Sequence, residues 1–85
     1  MKKSECRVYY TLTLTSDING GSKNTYTGRV AGDVLRGVRP PSDGKLTWFT
    51  GDHNETSTVA IDGHVLKKHT VTEVTTVSEK TEEIL

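Results

Sequence analysis

Residues 7–16, RVYYTLTLTS, alternate without a break. Val8, Tyr10, Leu12 and Leu14 fall on one side, and Arg7, Tyr9, Thr11, Thr13 and Thr15 on the other. Strict period two predicts a half-buried strand, because successive side chains of extended backbone point to opposite faces. A strand with one apolar face obliges the rest of the chain to supply a second layer over it.

DINGGSK (17–23) follows, and Asn19-Gly20-Gly21 are residues that tolerate positive φ, so a hairpin loop is expected there. NTYTG (24–28) can return as a second strand with Tyr26 on the inner face. In the next stretch, Val30, Ala31, Val34, Leu35 and Val38 recur at i, i+1, i+4, i+5 and i+8, one face of a helix. Thr27 can cap that helix and Pro40-Pro41 ends it. Gly32 and Gly37 each weaken it by roughly 1 kcal/mol relative to Ala, so it needs packing against the sheet. SDGK (42–45) reads as a turn and KLTWFT (45–50) as a third strand, with Leu46 and Trp48 on one face and Phe49 on the other. GDHNE (51–55) is a loop and STVAI (57–61) a strand; Asp62-Gly63 is the strongest two-residue hairpin signal. A long final strand begins at His64, with its period broken after Thr72.

The fold class expected is therefore α+β: a single small two-layer domain over residues 1–85. An antiparallel sheet of about five strands, in the order ββαβββ, carries one helix on one face. Residues 1–5 and 78–85 read as frayed tails. Eighty-five residues leave no room for a second core. Fourteen threonines and an apolar fraction of only 32% point to sheet with one wet face.

Composition narrows function by exclusion. Eleven basic and eleven acidic residues balance, so there is no global attraction to phosphate or to an anionic membrane. One cysteine, Cys6, excludes an intrachain disulfide and a cysteine-based zinc site. The N-terminus lacks the apolar run of a signal peptide, and no stretch approaches a membrane span, so the expected location is the cytoplasm, the host cytoplasm if the chain is phage-encoded.

No chemistry-bearing constellation survives the spacing. His53, His64 and His69 with Asp52 and Glu55 could ligate a metal only by converging, and the strand order spreads them apart. DHNETS lacks the glycine and distal glutamate of a calcium loop. There is no nucleophile elbow, phosphate-binding loop or dinucleotide motif. The sequence therefore implies no cofactor, no metal and no enzyme activity.

Two binding classes remain. The favoured expectation is a non-enzymatic protein-interaction module, of the kind phages and mobile elements use to bind and block a host protein such as a defence or nucleic-acid-processing enzyme. A homo-oligomer is also compatible. Trp48 and Phe49 are adjacent in a strand and must face opposite ways, so one large aromatic cannot reach the core. Tyr9, Trp48, Phe49, Asp52, His53 and Glu55 are the partner-binding residues expected, since interfaces are enriched in Trp, Tyr and Arg. The alternative is a small nucleic-acid-binding accessory protein. It would use a basic strip of Arg29, Arg36, Arg39 and Lys45 along the helix and its exit, with Lys67 and Lys68 nearby and Tyr9 as a stacking face.

Overall fold

The alternating N-terminal segment forms strand β1 (Glu5–Thr13). The computed structural model describes residues 5–23, 26–51, 55–73 and 77–84. Five further strands follow: β2 (Val34–Arg36), β3 (Lys45–Phe49), β4 (Thr56–Ala60), β5 (Val65–Glu73) and β6 (Val77–Glu83). All pair antiparallel. They build a four-stranded sheet in the order β2-β1-β5-β6 and a separate β3-β4 hairpin. The only helical element among the described residues is a 3-10 turn at Gly21–Lys23.

The α+β expectation is thus corrected: the domain is all-β, and a hairpin takes the place of the helix as the second layer. The segment expected to be helical is instead a turn, a bulge and a strand. Ala31 and Gly32 occupy the centre of a turn in which Asp33 N–H donates to the Val30 carbonyl at 3.1 Å. Gly32 sits at φ 95°, the positive value that the third position of a type II turn requires. The Asp33 carboxylate accepts from Val30 N–H at 3.0 Å, and Asp17 Oδ1 accepts from Ala31 N–H at 3.0 Å. Gly32 and Asp33 together then oppose Leu14 alone, with Leu14 N–H bonded to the Asp33 carbonyl and Gly32 N–H to the Leu14 carbonyl. Two residues facing one is the arrangement of a β-bulge. β2 follows, with Leu35 buried and Val34 and Arg36 exposed.

Other boundaries move as well. Residues 26–29 form no strand; Arg29 makes an isolated bridge with Ile18, and Asn24 and Thr25 lie outside the described residues. Asp62-Gly63 does form a turn, His64 N–H donating to the Ile61 carbonyl at 3.0 Å. It joins β4 to β5, which belong to different sheets, so it closes no hairpin. The tight two-residue loop is at Asp43-Gly44, where both residues have positive φ and Ser42 and Lys45 exchange backbone hydrogen bonds. Residues 78–83, expected as part of the tail, belong to strand β6, which begins at Val77 and pairs with β5 from Lys67↔Glu83 to Glu73↔Val77.

The core is the buried set Leu12, Leu14, Leu35, Leu46, Trp48, Ile61 and Leu66, where the β3-β4 hairpin covers one end of the large sheet. Gly37 joins the layers. Its N–H donates to the Tyr10 carbonyl at 2.8 Å, while the residue also bridges Trp48 of β3. A Cβ there would lie 2.8 Å from Leu46 Cδ1 and 3.3 Å from the Tyr10 carbonyl oxygen, so the close approach needs glycine. Beyond this end no described element covers the large sheet. No described side chain of β1 before Leu12, or of β5 after Leu66, is buried, and every described side chain of β6 is exposed. The extents of 52 × 28 × 23 Å and the radius of gyration of 14.6 Å record this projecting arm. A compact chain of this length would have a radius of about 12 Å.

Candidate protein-interaction site

The outer face of the arm is tied together by one side-chain network. Tyr9 and His69 are directly opposed in the β1–β5 register, and their rings stack at 4.5 Å with planes 7° apart. Tyr9 Oη donates to Glu79 Oε1 at 2.8 Å, and the Arg36 guanidinium lies 4.7 Å from the Tyr9 ring centroid. His69 Nε2 is 2.8 Å from Thr11 Oγ1, and Nδ1 is 3.2 Å from both Thr81 Oγ1 and Glu79 Oε1. A carboxylate only accepts, so Nδ1 is the donor at the Glu79 contact, while Nε2 pairs with the Thr11 hydroxyl. The hydrogen bond to Glu79 raises the Tyr9 pKa above its ordinary value, because it favours the protonated phenol. All four strands of the sheet contribute: β2 through Arg36, β1 through Tyr9 and Thr11, β5 through His69, and β6 through Glu79 and Thr81.

Beside this network the edge of β1 opens into a groove of about 320 Å³, lined by Val8, Tyr9, Tyr10, Arg36, Gly37, Val38, Arg39, Pro40 and Phe49. It exists because β2 is short. β2 covers only Thr11–Thr13 of β1. After Gly37 the chain leaves for β3, with Val38 N–H bonded to the Thr47 carbonyl at 2.8 Å. Val8, Val38 and Phe49 are three of the seven large apolar side chains that the described residues expose, and all three line this groove. Val8 is 48% exposed and Phe49 41%.

The partner-binding residues expected from sequence therefore divide. Tyr9 and Phe49 are at the groove. Trp48 is 1% exposed and belongs to the core, so it presents no surface. Glu55 is exposed in the β3–β4 loop, where its carboxylate hydrogen-bonds Tyr26 and raises that phenol's pKa. Asp52 and His53 lie outside the described residues.

The basic strip is not a strip, because the helix meant to carry it is absent. Arg29 lies 4.8 Å from the Trp48 ring centroid and donates to the carbonyls of Gly28 at 2.6 Å and Thr50 at 2.9 Å, a structural role. Arg36 and Arg39 both reach the groove. Lys45 is exposed at the start of β3. Lys67 and Lys68 are half-buried on opposite faces of β5. His64 Nδ1 accepts from Thr15 N–H at 3.1 Å, which pins the β4–β5 turn to the end of β1. Among the described residues, no three of His, Cys, Asp and Glu gather as a metal site would need. None of their helices is long and apolar enough to cross a membrane.

Sequence reasoning missed Val8, Val38, Arg39 and Pro40 as one site. A signal was present: Lys68, Thr70 and Thr72 of β5 share the inner face with Val8, and a polar inner face there marks sheet with no layer above it. Comparison with known proteins found no matching family model, no matching curated protein and no matching solved structure.

Proposed function

We propose that the protein is a non-enzymatic protein-interaction module and that the groove at the β1 edge is its contact surface. One observation carries the reading: an apolar cluster of Val8, Val38 and Phe49 lies exposed beside two arginines in a groove along a strand edge. Exposed apolar groups gathered in a concavity and rimmed by arginine are the usual composition of an interface centre. Holding a partner there would withhold the bound segment from other proteins, which is how a module of this size can block one. The nucleic-acid alternative has lost the helix that was to carry its strip and one of its four cations, Arg29, to backbone carbonyls.

The test is capture of partners from lysate by the wild-type chain and by Phe49→Asp, with melting temperature checked for both. A partner retained by wild type and lost by an equally stable Phe49→Asp supports the reading. Equal capture by both chains refutes it. Binding to generic DNA or RNA that weakens steeply with salt would favour the alternative instead.

A further inference from the structure

The groove has a specific chemical feature on its floor, the bare backbone of β1. Within a strand, the N–H and C=O of one residue point to the same side, and neighbours alternate. Leu14 uses both groups toward residues 32 and 33, and Tyr10 uses its carbonyl toward Gly37. The even-numbered residues of β1 therefore face the β2 side. Cys6 and Val8 continue this series past the point where β2 has ended, and no described residue pairs with them there. The groove walls stand on both faces of that edge, with Val8 and Tyr10 on the inner face of the sheet and Tyr9 and Arg36 on the outer.

Charge gives the occupant its sign. Arg36 and Arg39 line the groove, no acidic residue among the described ones does, and neither arginine is ion-paired with a described carboxylate. The opposite edge of the sheet differs: β6 exposes Glu79, Lys80, Glu82 and Glu83, the charged dressing that discourages strand addition. The open stretch of β1, Cys6 to Tyr10, is instead a run of strand-forming residues with a single charge, Arg7.

Resting on the protein-interaction reading, we infer that the β1 edge takes up an extended acidic segment of a partner protein as an added strand, collinear with β2 and antiparallel to β1. Main-chain hydrogen bonds to Val8 and Cys6 hold it. Its alternate side chains are apolar against Val8 and Phe49, and carboxylates on the Tyr9–Arg36 face.

A random ten-residue peptide library, displayed on its own messenger RNA and selected against the intact chain, supplies the probes. Selected peptides should alternate apolar with Asp or Glu. Methylating their amides along one edge should weaken binding at least tenfold, and along the other edge should leave it within twofold. In the protein, Val8→Pro removes an N–H that faces the open edge, a tolerated place for proline, and should weaken binding at least tenfold. Arg39→Glu should weaken it about fivefold or more. Failure to enrich any peptide, enrichment of basic peptides, or equal binding of both methylated forms would overturn the inference. Self-association that Val8→Pro abolishes would overturn it too, by making a second copy the occupant. If Phe49-dependent capture succeeds while these peptide results fail, strand addition is wrong and the interaction reading stands.

Discussion

The two ends of this molecule are held by different forces. At one end, seven buried apolar side chains join two sheet layers. At the other, β1 before Leu12, β5 after Leu66 and β6 project as a three-stranded arm with no buried described side chain, and the arm is kept in register by backbone pairing and by the Tyr9–His69–Glu79 network. Buried apolar contact is concentrated where β2 and the hairpin lie, and the β1 edge is left without a described partner strand where they stop. Burial fixes the core end, and directional polar contacts fix the arm.

The sharpest way to break that contrast is through Trp48. Trp48→Ala empties a fully buried site and should cost about 3–5 kcal/mol, enough to unfold much of a domain this small. Val8→Ala, in the arm, should fall within about 0.5 kcal/mol of wild type. Chemical denaturation of both variants measures the difference, and equal losses would dissolve the distinction. Next in size is the joint between layers. Gly37→Val drives a side chain into Leu46 and the Tyr10 carbonyl and should cost about 1–3 kcal/mol, with loss of core packing seen in the near-ultraviolet circular dichroism of Trp48.

Smaller effects should stay within the arm. His69→Ala removes one cross-strand pair and should cost roughly 0.5–1 kcal/mol. Hydrogen exchange should quicken at residues 68–72 and hold steady at Leu12, Leu35 and Leu46. The mildest perturbation is pH. Tyr9 has a folded-state pKa raised above 10.0, chiefly by its hydrogen bond to Glu79, so its contribution is complete below that ordinary value. It is lost as pH rises through the folded pKa. Loosening of the arm above pH 10 should therefore be seen in wild type and reduced in Tyr9→Phe.

Much of this was legible in the chain, and the misses are physical. The period-two run that became β1 and the loop at Asn19-Gly20-Gly21, all three with positive φ, were readable because local chemistry decides them. The helix was misread because Val30, Val34 and Val38 recur every four residues, a spacing that is both one helical face and an even number along a strand. Two glycines and three β-branched residues over 30–38 favour the extended reading, and all three of those valines point outward. Two Asp-Gly pairs compete for one tight hairpin, and only tertiary pairing shows that Asp43-Gly44 closes it. The site was half legible: Tyr9 and Phe49 could be singled out as large side chains on strands. That β2 would stop after three residues, and so bare the edge beside Val8, depends on the departure of Gly37 toward β3, which no local pattern announces.

The central claim is that the β1 edge at Val8 is open and receives a strand. Amide hydrogen exchange at Val8 tests it most directly, with Tyr9, whose amide faces β5, as the internal reference. In the free protein Val8 should exchange rapidly and Tyr9 slowly. On addition of a selected acidic peptide, Val8 should become at least tenfold slower while Tyr9 changes little. A Val8 amide already protected in the free, dilute protein, or one unchanged when the peptide is bound, would contradict the account.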